Sequence, residues 1–109
     1  MHSFEKIAAS FNLNSLQAEE LTNELKELQK RFNPDNIQAF YPEFEKIASS
    51  FGIHDDQMEA FVELLYADPK FSNLVTFIIP SFYSIGGDRM QFEATYEQMM
   101  CDLHEELDQ

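Results

Sequence analysis

The sequence predicts an all-α fold, a compact right-handed stack or bundle of about seven to eight short helices. Two observations carry that expectation. The octamer Phe4-Glu5-Lys6-Ile7-Ala8-Ala9-Ser10-Phe11 returns as Phe44-Glu45-Lys46-Ile47-Ala48-Ser49-Ser50-Phe51, seven of eight positions identical, which marks the duplication of a structural unit. Apolar residues also recur at helical spacing, first as Leu21, Leu25, Leu28 and Phe32 and again as Met58, Phe61, Val62 and Leu65, so each set lies along one face of an amphipathic helix. The chain is therefore expected to be one domain, residues 1–109, built from two tandem three-helix units and a shortened third, at about residues 3–41, 42–79 and 80–109.

The first helix of each full unit, residues 3–11 and 43–51, should end at Asn12 and Gly52, the residue types that most readily take the left-handed conformation of a helix terminus. The next helix opens at Asn14 or Ser15 in one copy and at His54, Asp55 or Asp56 in the other, with Gln17 and Gln57 three places beyond Asn14 and His54. Pro34, Pro42, Pro69 and Pro80 read as punctuation at helix starts, because proline begins helices well and continues them badly. Leu74-Val75-Thr76-Phe77-Ile78-Ile79 has the β-branched composition of a buried strand, but nothing else in the chain offers a pairing partner, so a short buried helix is assigned. In the third copy Phe82, Ile85 and Gly86 align with Phe44, Ile47 and Ala48. Asp88 and Gln91 then fall on His54 and Gln57 after a deletion of four residues. Asp88 with Gln91 is a helix-start signal, and the last helix should run from about Arg89 towards Leu107. In repeat length and in its helix triplets this arrangement resembles helical repeat proteins of the HEAT or armadillo type, in outline only.

Composition narrows the function classes. Apolar residues make 44% of the 109, eleven of them Phe, enough for a single core, and a mean hydropathy of −0.37 speaks against a membrane protein. The most apolar stretch, residues 71–85, is broken by Pro80 and falls short of the roughly 20 apolar residues that a spanning helix needs. A single cysteine, Cys101, and the lack of a signal-type opening make the cytoplasm the expected compartment. The formal charge is −13, and the acid is concentrated in two blocks, residues 55–70 and 88–109, separated by the uncharged residues 71–87.

Candidate sites follow from these blocks and from the repeat. Ile47-Ala48-Ser49-Ser50-Phe51-Gly52-Ile53, with Ile7-Ala8-Ala9-Ser10-Phe11-Asn12-Leu13, has the small residue, turn residue and aliphatic of a helix-turn-helix DNA reader. The would-be recognition helix nonetheless presents Asp55, Asp56, Glu59 and Glu63 and no lysine or arginine, whereas DNA affinity rests on neutralising phosphates. Asn12, Asn14, Ser15 and Glu19 lack the spacing of a calcium loop. Glu97, Cys101, His104 and Asp108 share a helical face and offer zinc-type ligands, but they flank the apolar stripe Phe92, Tyr96, Met99, Met100, Leu103 and Leu107 and read as neighbours of the core. Gly86-Gly87 is an isolated turn pair, and no nucleophile has a base beyond His104 on the same helix as Cys101. No catalytic residue, cofactor or metal is expected.

Asp102, Glu105, Glu106 and Asp108 crowd the negative end of the last helix, the unfavourable sign by about 0.3–1 kcal/mol each at low salt, and a basic partner would relieve them. The sequence thus points to a small acidic protein-binding module, an inhibitor of the immunity-protein, antitoxin or nucleic-acid-mimic type that engages a basic protein surface. Its partner-binding candidates are Asp55, Asp56, Glu59, Glu63, Glu93, Glu97, Asp102, Glu105, Glu106 and Asp108. Direct nucleic-acid binding and membrane association are not expected. The alternative is a helix-turn-helix-like transcriptional regulator.

Overall fold

The computed structural model describes residues 3–88 and 90–107, with side chains over 7–88 and 90–105. Among these residues lie α1 (Ser3–Ser10), α2 (Ser15–Lys30), a 3₁₀ segment (Pro34–Ala39), α3 (Phe40–Ser50), α4 (Asp55–Ala67), α5 (Ser72–Ser84) and α6 (Glu93–Leu107), and no strand. The protein is all-helical and compact, with principal extents of 40 × 30 × 26 Å.

Six α-helices and one 3₁₀ segment replace the seven to eight helices expected, because two of the prolines do not break the chain. Pro42 is the third residue of α3, where the first amides of a helix have no acceptor and a missing N–H costs nothing. Pro80 lies inside α5, which continues through it to Ser84 although that position cannot donate to the Thr76 carbonyl. Burial sustains α5. Leu74, Val75, Ile78 and Ile79 are fully enclosed where the helix packs against α3, α4 and the 3₁₀ segment, which explains how a β-branched run stays helical.

The backbone also corrects the register of the third copy. Asn12 (φ 58°) and Gly52 (φ 83°) take the left-handed conformation, and the amide beyond each turns back onto an alanine carbonyl, Leu13 N to Ala8 O at 2.9 Å and Ile53 N to Ala48 O at 3.0 Å. Gly86 (φ 85°) does the same, with Gly87 N on Phe82 O at 2.9 Å. Geometrically Phe82 therefore matches Ala48, Gly86 matches Gly52 and Asp88 matches His54, with no deletion between them. The shorter stretch lies before α5, since residues 31–39 separate α2 from α3 and only 68–71 separate α4 from α5. Helix α5 is thus the first helix of a third corner and not the third helix of a second unit.

The two helices of a corner meet mainly at their turn and pack across the next corner, α1 on α4, α2 on α3, and α5 on both α3 and α4. Inside, Phe61 packs against Phe44 (stacked, centroids 5.7 Å apart) and edge-on against Phe11 (5.6 Å). The chain between α2 and α3 is held by Phe32, stacked on Phe77 at 4.1 Å and edge-on to Phe40 at 4.9 Å. Ser81, fully buried on α5, accepts from Tyr41 N at 2.8 Å and donates to the Ile37 carbonyl, so one side chain satisfies both the start of α3 and the 3₁₀ segment.

Helix starts vary with their caps. Asn14 and Gln17 form a reciprocal box, Asn14 Oδ1 accepting from Gln17 N at 2.8 Å and Gln17 Oε1 from Asn14 N at 3.0 Å. Gln57 Oε1 accepts from His54 N at 3.1 Å. Asp88 Oδ1 accepts instead from Met90 N at 2.9 Å, which closes a turn, and α6 becomes regular only at Glu93 rather than near Arg89.

One compensation inside the repeat can be tested. The first two corners pair a small residue with a large one, Ala8 with Leu13 and Ala48 with Ile53, while the third pairs Phe82 with Gly87. A Cβ on Gly87 would lie 2.5 Å from the Phe82 ring. Gly87→Ile should destabilise by about 1–3 kcal/mol through overpacking, and adding Phe82→Ala should recover at least half of that loss, as read from urea midpoints in a double-mutant cycle.

Candidate functional site

The ten acidic candidates do not form one surface. Along α4, Asp55, Glu59 and Glu63 are spaced at successive turns, all exposed, and make a ridge about 12 Å long on the face opposite the buried Met58, Phe61, Val62 and Leu65. At one end of the ridge Asp55, Asp56 and Glu59 border a cleft of about 530 Å³ together with Tyr41 and Glu45 of α3 and Phe82 of α5. At the other end Glu63 borders a groove between α4 and α6 that Thr95, Gln98 and Asp102 also line.

On α6 the acids divide. Glu93 and Glu97 flank a separate cleft beside Tyr83, Met90 and Tyr96, and Glu105 lies by Ser72, Asn73 and Thr76 of α5. Asp102 is half-buried and already engaged, accepting from the Tyr66 hydroxyl of α4 and, at 3.1 Å, from Gln98 Nε2, so it ties α6 to α4. The side chain of Glu106 and all of Asp108 lie outside the described residues.

Electrostatics separates acids that serve the fold from those that do not. Asp55 and Asp56 occupy the first turn of α4 and Glu93 the first turn of α6, where the positive helix end stabilises a carboxylate. Glu59, Glu63, Glu97 and Glu105 have no such support, and among the described residues none is in an ion pair. The ion pairs that do occur, Lys30 with Glu27 at 3.8 Å and Arg31 with Glu43 at 3.9 Å, are exposed and lie away from the ridge.

Tyr41 and Glu45 escaped the reading of the sequence. Glu45 belongs to the repeated octamer and matches Glu5, which marks it as part of the scaffold, and Tyr41 precedes the octamer with no counterpart to draw notice. In the structure Tyr41 is only 5% exposed, its ring packed against Phe82 at 4.7 Å between centroids and near Phe44 and Phe92. Burial, followed by the negative charges of Glu45 and Asp55, pushes its phenol well above the usual tyrosine range, so the hydroxyl stays protonated even in alkaline solution.

The apolar stripe expected on α6 is only partly covered. Phe92, Thr95 and Met99 are buried, whereas Leu103 is exposed. Cys101 is a free exposed thiol, and no group of three His, Cys, Asp or Glu among the described residues could hold a metal ion. No helix of the described residues is long and apolar enough to cross a membrane. Comparison with protein-family models, with curated proteins and with solved structures finds no match. The reading of function therefore rests on the chain itself.

The seam between α4 and α6 gives a test. Tyr66→Phe removes the donor to Asp102 and should lower stability by about 1–2 kcal/mol. Thr95→Val should act in the opposite sense, raising the urea midpoint, because the Thr95 hydroxyl is buried without a partner among the described residues. An unchanged midpoint in Tyr66→Phe would show that the hydroxyl adds nothing and that α6 is held by packing alone, and a lower midpoint in Thr95→Val would show that the Thr95 hydroxyl is satisfied.

Proposed function

We propose that this protein is a small acidic module that binds another protein through a basic surface, and that it acts as an inhibitor of the immunity-protein, antitoxin or nucleic-acid-mimic kind. The observation that carries this reading is the α4 ridge: Glu59 and Glu63 stand exposed and unpaired among the described residues, on a helix whose opposite face is locked into the core. Self-repulsion at a charge of −13 lowers the stability of a compact fold and raises its rate of encounter with a cationic surface. A rigid helix lets such a field be presented in one geometry. Reading the three corners as a short right-handed repeat stack belongs to the same proposal, with the stack as the platform for the ridge.

The helix-turn-helix alternative is less well supported. Helix α4, which would have to enter a major groove, packs against α1, α5 and α6 and carries no lysine or arginine.

Reversing Glu59, Glu63, Glu97 and Glu105 to Lys should abolish capture of the partner from native cell extract at physiological salt while leaving the far-ultraviolet circular dichroism unchanged. Retained capture after reversal would sink the electrostatic reading. A mobility shift with random duplex DNA at low salt gives the complementary check: the proposal expects none, and a salt-sensitive shift would favour the regulator.

A further inference from the structure

We propose that the cleft between α3, α4 and the end of α5 is the anchor point of that interface and receives an arginine side chain of the partner protein, its guanidinium held by Glu45, Asp55, Asp56 and Glu59, its plane laid against the Phe82 ring and one N–H reaching the Tyr41 hydroxyl. The inference rests on the proposed function and names the chemical group recognised there.

Carboxylates crowded together do not make a site, and here a second observation points to a ligand. Tyr41 is 95% buried, and its hydroxyl has no hydrogen-bond partner among the described residues. It is not sealed in the core either. Thr95 Oγ1 is the fully enclosed side-chain polar atom without a partner among those residues, so the Tyr41 hydroxyl is not fully enclosed, and Tyr41 itself lines the cleft. A free phenol in a cleft that carboxylates also line offers an acceptor to an incoming N–H and a donor to a carboxylate. The group stays protonated for both tasks.

The shape of the site selects among cations. A metal ion needs several oxygens converging on one point, and these carboxylates are not grouped closely enough to hold one. An ammonium is a compact, strongly hydrated charge and gains little from aromatic walls. A guanidinium spreads its charge over a plane, carries five N–H donors pointing in different directions, sheds water more readily and stacks on rings. A cleft lined by four carboxylates, by the Phe82 ring and by the Tyr41 phenol matches that group. The cleft opens at the head of the α4 ridge, so an arginine seated in it would draw the remaining acids onto the same basic surface.

The test is a nuclear magnetic resonance titration of the full chain with N-acetyl-arginine amide, with N-acetyl-lysine amide and N-acetyl-norleucine amide as controls. Saturable shifts should concentrate at Tyr41, Glu45, Asp55, Glu59 and Phe82, and the arginine compound should bind several-fold more tightly than the lysine compound. Tyr41→Phe, which keeps the ring, should weaken arginine binding by about fivefold, the loss of roughly one hydrogen bond. Asp55→Asn with Glu59→Gln should abolish it while circular dichroism shows the fold intact. Equal affinity for lysine, shifts spread evenly over α4 and α6, or indifference to Tyr41→Phe would overturn the site. A captured partner that still binds both cleft variants but is lost after Glu97→Lys with Glu105→Lys would overturn the anchor and leave the wider acidic-surface reading standing. A partner insensitive to all of these variants would remove both.

Discussion

A single backbone hydrogen bond, repeated three times, organises this fold: the amide just past a left-handed residue returns to a carbonyl five positions earlier, at Leu13, Ile53 and Gly87. Each closes a corner and aims the following helix away from its predecessor, so that helices pack more across corners than within them. The left-handed residue must be one that bears that conformation cheaply, and the chain supplies Asn12, Gly52 and Gly86. Everything placed on α4, including its acidic ridge, inherits its direction from the turn at Gly52.

The corner geometry also explains where function has room. With α1, α5 and α6 packed around it, α4 retains one free face, and that face carries the acid. Helix α5 carries Phe82 to the wall of the Tyr41 cleft, at the position that the second corner fills with an alanine. The swap of Ala48 and Ile53 for Phe82 and Gly87 thus serves packing and the cleft together. Ser81, one residue earlier, pins α3 by its first turn and so sets the position of Tyr41 itself.

Much of this was legible in the residues. The octamer and the pair Asn12 and Gly52 announced two matching corners, and the spacing of Leu21, Leu25 and Leu28 named buried positions. The third corner was harder, because Phe82 and Ser81 stand where the earlier copies have Ala48 and Ile47, so similarity pulled the alignment four residues out of register. Backbone conformation at Gly86 restores it. Prolines misled in the same way: a missing amide breaks a helix only where that amide was needed, which depends on where the helix has already begun. The acidic ridge on α4 could be read from spacing alone. The engagement of Asp102 by Tyr66 could not, since it depends on two helices meeting 36 residues apart. The Tyr41 cleft needed three elements to be placed before it existed.

Glu59, Glu63, Glu97 and Glu105 form no ion pair among the described residues, so they should burden the fold with like charge and contribute nothing that it requires. The most direct measurement is the urea midpoint of the variant carrying Glu→Gln at all four positions, compared with the unaltered chain at low and at high salt. The midpoint should rise at low salt and converge with that of the parent as salt screens the repulsion. A lower midpoint at both salt concentrations would contradict this, because it would mean that these carboxylates hold the structure together.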